Sequence, residues 1–278
     1  MKQWEKEKFV VERTSTPITK TSLIKDFENI SLKKGDTVIV HSSMSKLGWT
    51  VGGPNSVIEA LMDVITREGT IAMPTMTTGN TDPRRWNYPS VPKEWWPIIR
   101  AERPAYQPEA TPTRGMGRIP EVFRTYPEVC RSNHPIYSFT AWGKNAKNII
   151  ENHNYTDTFT GKSPLGRLYQ LNARILLIGV GHINNTSLHH AEWKANIPNF
   201  PRVPQGAALL ENGKRVWKDW EELEYSDEDF TEVGNAFEKS INYEPKLIEQ
   251  TESRLVSMRE LVDFAVDWFR KNRKYNEK

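Results

Sequence analysis

The chain has 278 residues, with 38 lysines and arginines set against 35 aspartates and glutamates for a net charge of +3. That length is enough to bury a large core, and the near balance of charge excludes the strongly basic surface of a nucleic-acid-binding protein. A single cysteine, Cys130, excludes an intramolecular disulfide and fits a reducing compartment.

The opening stretch MKQWEKEKFVVERTSTPITK is charged from its start and lacks the apolar core of a signal peptide. No apolar run approaches the roughly 20 residues that span a bilayer. These features predict a cytoplasmic protein with neither a membrane nor a nucleic acid as partner, built as one domain over residues 1–278.

Leu23, Ile24 and Phe27 predict a helix over 22–30, and Gly35 turns the chain into a strand at 37–40. Val57, Ile58, Leu61, Met62 and Ile65 form the apolar stripe of a second helix, entered through Pro54 and left at Gly69. A strand at 70–73 completes a strand, helix, strand unit, which requires a parallel pair. Between the first strand and its helix runs HSSMSKLGWTVGG. Such a loop offers unpaired backbone N–H groups at a helix N-terminus, the hydroxyls of Ser42, Ser43 and Ser45, and close backbone approach at Gly48, Gly52 and Gly53. It suits phosphate oxygens or serves as an ordinary connection, and its spacing matches neither the Walker loop nor the dinucleotide fingerprint.

Residues 74–135 are irregular and rich in proline and tryptophan; a loop this long is functional or disordered, and its aromatic residues favour ordered packing. Short helices are predicted at 119–125 and 164–171, then a buried strand at 174–180 and a helix in NNTSLHHAEWKAN capped by Thr186. Asn212-Gly213 predicts a hairpin between 207–211 and 215–217. Residues 219–232 are acidic throughout, and a capping box at Ser257 and Glu260 starts a last helix with Leu261, Phe264, Ala265, Trp268 and Phe269 on one side.

Five segments in series, HSSMSKLGWTVGG, MPTMTTGNTDPRRW, RSNHPIYSFTAWG, SPLGRLYQLNARILLIGVGHINNTSLHHAE and DEDFTEVGNAF, resemble the aminoglycoside 3-N-acetyltransferase family over residues 18–269. This antibiotic N-acetyltransferase group is unrelated in fold to the GNAT enzymes. The resemblance implies an α/β fold with a central mixed sheet flanked by helices, and acetyl-CoA as co-substrate with no metal. It implies that the loop of Ser42, Ser43, Met44, Ser45 and Gly48 holds the coenzyme, and that Ser132, His134, Ser138 and Ser163 lie near its pantetheine arm; His41, which ends the strand beside that loop, is a candidate to contact the coenzyme, to support the catalytic group or to serve the fold alone. It also places a catalytic histidine and its carboxylate in SLHHAE.

Acetyl transfer to an amine needs a group that removes the amine proton, and imidazole is the usual base near neutral pH. His189 falls in the first turn of its helix, where the dipole favours the neutral ring, and Glu192 follows three residues later on the same face to orient it. These two influences oppose one another. A lone His-x-x-Glu is also a common structural pair, and the family resemblance is what selects the catalytic reading. His190 is turned by about 100° away from that site. His153 and His182 read as polar surface, Cys130 as a buried small residue rather than an acetyl carrier, and the histidine spacing excludes a metal motif.

For a small-molecule amine acceptor rich in ammonium groups, the expected carboxylates are Asp82, Asp157, Glu224 and Asp229, with Tyr225 and Trp220 to stack on sugar rings. The arginines of DPRRW and TPTRGMGR suit an anionic acceptor or the coenzyme phosphates. The alternatives are an acetyltransferase for another small amine and a CoA-binding protein without catalysis. No G-x-S-x-G elbow supports a serine hydrolase. A homo-oligomer is compatible with the sequence, and the tryptophan-rich loop 82–112 is a candidate for covering either the site or a subunit contact.

Overall fold

A computed structural model describes residues 2–87 and 89–275. The first half runs α1 (Gln3–Glu12), α2 (Lys20–Asn29), β1 (Thr37–Ser42), α3 (Met44–Leu47), α4 (Pro54–Ile65), β2 (Thr70–Pro74), α5 (Trp96–Glu102), α6 (Arg118–Phe123), β3 (Cys130–Arg131) and β4 (Phe139–Gly143). The second half runs α7 (Ala146–Ile150), α8 (Pro164–Gln170), β5 (Arg174–Ile178), α9 (Ser187–Ala195), β6 (Arg202–Glu211), β7 (Lys214–Leu223), α10 (Phe230–Ser240), β8 (Lys246–Ile248), β9 (Thr251–Ser257) and α11 (Met258–Asn272).

Val38, Ile39 and Val40 are fully buried, so β1 is covered on both faces, as a central parallel strand must be. It pairs in parallel with β2 on one side and β5 on the other, while β4, β3, β9 and β8 extend the sheet antiparallel. The result is a seven-stranded mixed sheet in the order β3-β4-β2-β1-β5-β9-β8. Strand alternation sorts the core into two layers. Val38 and Val40 pack with Leu23 and Phe27 of α2 and with Val57, Ile58, Leu61 and Ile65 of α4. Ile39 faces the other way, onto α8, α9, α10 and α11. Each fully buried aliphatic side chain contributes about 1.5–3 kcal/mol relative to exposure.

Gly143 ends β4 at φ +101, and a Cβ there would lie 2.2 Å from the carbonyl oxygen of Gly69. Only glycine permits that approach of two backbones at the sheet's end.

The Asn212-Gly213 hairpin is longer than the local pattern predicts. β6 and β7 pair from Arg202 with Leu223 to Glu211 with Lys214, forming a separate two-stranded ribbon. The proline- and tryptophan-rich segment is ordered and packs on this ribbon. Tyr106 N donates to Ala208 O, and Arg215 donates to the carbonyls of Arg103 and Arg100. The charged N-terminus, for which no element is predicted, forms α1.

Candidate active site

The parallel strands β2, β1 and β5 end side by side, and beyond their carboxyl ends opens a cleft of about 1270 Å3, lined there by Val40, His41, Ser42, Pro74 and Val180. This is where open α/β sheets bind ligands. The remaining wall comes from α1, the segment between β1 and α4, the first residues of α4, the turn Gly115–Gly117 with the start of α6, and Asn184 and Thr186 before α9. His41, Ser42, Ser43, Met44, Ser45 and Gly48 all line it. Gly52 and Gly53 take φ +75 and +58, and with no side-chain cap the N–H groups of the first turn of α4 are left for a ligand. Lys6, Lys46 and Arg118 place cationic side chains on the same wall.

The Ser42 hydroxyl is buried with no hydrogen-bond partner among the described residues. Ser43 and Ser45 place their hydroxyls 3.3 Å apart. Burial lowers His41 to about 3, so its ring is neutral at physiological pH, and its Nε2 lies 3.5 Å from Thr186 Oγ1.

Thr186 opens α9, and one turn later His189 N–H donates to its carbonyl. The His189 ring stacks on Phe159 at 4.7 Å and 8°, with Phe230 at 4.8 Å and Tyr225 edge-on at 5.7 Å. Its Nδ1 lies 2.5 Å from Glu192 Oε2. A carboxylate acceptor there holds a proton on Nδ1 and leaves Nε2 on the opposite edge of the ring. Glu192 is fully buried, and its other oxygen accepts from Ser226 N at 3.0 Å and Arg273 Nη1 at 2.5 Å. The His189–Glu192 spacing was legible; Ser226 and Arg273 were not predicted.

Several expected positions lie elsewhere. Ser132, His134, Ser138 and Ser163 are buried and do not line the cleft. Ser132 Oγ meets His153 Nδ1 and accepts from Phe139 N; His134 Nδ1 accepts from Ile136 and Tyr137 N; Ser138 Oγ donates to Thr75 O; Ser163 caps α8. Each polar group is therefore used by the fold itself. His153 and His182, expected at the surface, are buried: His153 by the Ser132 contact, His182 through Nε2 at 2.8 Å from Glu238. Thr186 makes no side-chain cap; Asn185 Oδ1 accepts from Ser187 N instead. Cys130 is half-buried on the short strand β3. His190 points away from the site, onto Phe159 O.

Among the expected acceptor carboxylates, Asp82 is fully buried against Arg84 and Arg100, and Asp229 is paired with Arg273. Asp157 is half-buried beside Thr160, and Glu224 is exposed, 4.0 Å from Arg85. Among the described residues no group of three His, Cys, Asp or Glu could hold a metal, and no helix is long and apolar enough to cross a membrane.

Fold and site together define an α/β protein with a large cleft at the strand ends, lined in part by Thr186, and a half-buried histidine one helical turn beyond it, paired with a buried carboxylate. The profile of the aminoglycoside 3-N-acetyltransferase family matches residues 39–270, and the chain belongs to that family of acyltransferases. It is 47% identical to the SPbeta prophage-derived aminoglycoside N(3')-acetyltransferase-like protein YokD of Bacillus subtilis, covering 98% of this chain and 99% of YokD. The YokD crystal structure superposes with a TM-score of 0.92 over 95% of this chain and 98% of that one. Aminoglycoside N(3)-acetyltransferase VII of Streptomyces paromomycinus is 33% identical over 93% of this chain and 94% of its own. AAC-IIIb, solved as a binary complex with CoASH, is 26% identical with a TM-score of 0.83, covering 95% of this chain and all of its own.

Proposed function

We propose that this protein moves the acetyl group of acetyl-CoA to the 3-amino group of a 2-deoxystreptamine aminoglycoside, with His189 as general base. The observation that carries the reading is the His189–Glu192 pair at the start of α9, one helical turn from Thr186, which lines the cleft while His189 itself does not. The amine nitrogen attacks the thioester carbonyl while His189 Nε2 takes its proton and Nδ1–H keeps its bond to Glu192; collapse of the tetrahedral intermediate breaks the C–S bond, and the imidazolium returns the proton to the departing sulfur, so the products are the N-acetyl amine and the CoA thiol. The binary complex of AAC-IIIb with CoASH supports a coenzyme in the cleft, and the unpartnered Ser42 hydroxyl, the free first turn of α4 and the lysines fit its polar and phosphate groups. Replacing Ser43 and Ser45 together by alanine removes two hydroxyl donors and raises the CoA Kd about tenfold, read by calorimetry; an unchanged Kd removes these hydroxyls from the coenzyme site.

A second reading, acetylation of a small amine that is not an aminoglycoside, is favoured by the pairing of Asp82 and Asp229 with internal arginines. Of the four expected carboxylates, Asp82 and Asp229 are held in close hydrogen bonds by arginines, while Asp157 and Glu224 have no arginine within hydrogen-bond distance among the described residues and are the two left for a polycation. The deciding experiment is thiol release from acetyl-CoA against aminoglycosides with and without a free 3-amino group. Release only with the free 3-amino group supports the first reading; silence across that panel with turnover of other amines selects the second.

A further inference from the structure

Glu192 is fully buried, and only one of its two oxygens is used by His189. The other is gripped by Arg273, which follows the last helix, 81 residues along the chain. Arg273 is itself 9% exposed at its side chain and is held on all sides. Its Nε and Nη2 donate to the two oxygens of Asp229 at 2.7 and 2.5 Å, Nη2 also donates to Ser226 O at 2.9 Å, and the guanidinium lies 4.1 Å above the Phe269 ring. Burial works against the Arg273 charge, but the hydrogen bonds and fields of Asp229 and Glu192 outweigh it, so the net shift is upward and the cation is permanent.

We propose that Arg273 and Asp229 form the outer half of a four-member relay, Asp229–Arg273–Glu192–His189, in which Arg273 is a positioning residue that sets both the orientation and the effective charge of Glu192 seen by His189. The proposal rests on His189 being the base. A bidentate guanidinium bound on one side by Asp229 leaves one Nη for Glu192, which fixes the carboxylate plane and keeps Oε2 free for Nδ1–H. It also partly neutralises Glu192, so that the imidazolium formed during turnover is stabilised without being trapped. A free buried carboxylate would hold the proton on the ring too tightly; a neutral partner would fail to stabilise it.

Other charges face the same group. Arg202, Glu221 and Glu222 line, together with Glu192, a second pocket of about 340 Å3, and the phenols of Tyr225 and Tyr275 lie within the Glu192 field. None of the first three has a hydrogen bond to Glu192 or His189 among the described residues, whereas Arg273 bonds directly, so the relay has the larger lever.

The signs separate this role from simple anchoring of the C-terminus. Removing the Arg273 charge leaves Glu192 more negative toward His189, and removing the Asp229 charge leaves it less so. We would label the protein with 15N-histidine, assign the His189 ring by its loss in His189→Gln, and titrate it in full-length Arg273→Gln, Arg273→Lys and Asp229→Asn without substrate. The expected midpoints, relative to wild type, are about one pH unit higher for Arg273→Gln, near zero change for Arg273→Lys, and a fraction of a unit lower for Asp229→Asn. Midpoints that stay at the wild-type value, or move in the same direction in Arg273→Gln and Asp229→Asn, overturn the relay. If Arg273→Gln does not fold, the downward shift in Asp229→Asn and the retained midpoint in Arg273→Lys carry the test. Because no acceptor is present, the titration stands whether or not the protein turns over an aminoglycoside, and failure of His189 as the base shows up separately as retained turnover in His189→Gln.

Discussion

Replacing His189 with glutamine lowers kcat by about 10² to 10⁴-fold while leaving the CoA Kd within about twofold, because the substitution removes a proton acceptor and little else. Glutamine keeps much of the bulk that fills the space between Phe159, Phe230 and Tyr225, and its amide can still donate toward Glu192. Glu192 retains Arg273 and Ser226 N, so no buried charge is left without a partner and the fold survives. The cleft beyond the strand ends is lined by other residues, Thr186 among them, and none of these is altered. Steady-state kinetics with an accepted amine, together with calorimetry of CoA, give both numbers. Turnover comparable to wild type would remove His189 as base, and a parallel loss of CoA affinity would make it a cleft residue instead.

The elements built on local period were legible in the sequence. The stripe of α4, the buried run of β1 and the glycine exit at Gly69 specify a β1-α4-β2 unit because each local preference agrees with the final packing. The same holds for the His189–Glu192 pair, since residues three apart on a helix meet whatever the rest of the chain does. What stayed hidden depends on contacts between distant segments. Arg273 reaches Glu192 from the far end of the chain, and nothing around either residue signals the other. His153 and His182 looked like surface polar residues because their partners, Ser132 and Glu238, come from other elements. The serines and the histidine of RSNHPIYS carry the family pattern, yet in the structure their hydrogen bonds close within the fold. In this structure those groups hold together the segment between β3 and β4, and none of them lines the cleft.

Asp82 is the sharpest example of a charge whose role depends on burial, and its removal has the largest expected effect on stability. Its carboxylate is fully buried and accepts two bonds from Arg100 at 3.0 and 2.9 Å, one from Arg84 Nη2 at 3.0 Å and one from Arg84 N at 2.9 Å. Its own N–H donates to Gln205 of β6 at 3.1 Å, so the same residue ties the start of the tryptophan-rich segment to the ribbon. Burial alone would raise its titration point, but the hydrogen bonds from Arg100 and Arg84 outweigh that and lower it from 3.8. Asp82→Ala leaves Arg100 without its carboxylate and destabilises the protein by about 3 kcal/mol, the low end for breaking a buried pair because both guanidinium groups keep partial contact with water. The sign of the pH dependence follows from the lowered value: the contribution is fully present above 3.8 and is lost as pH falls through the folded-state value below it. Urea unfolding at neutral pH therefore separates wild type from Asp82→Ala, and the gap narrows on acidification below 3.8. An unchanged urea midpoint accompanied by a raised KM for the amine would instead return Asp82 to the acceptor site, because a carboxylate used for binding need not contribute to the stability of the free protein.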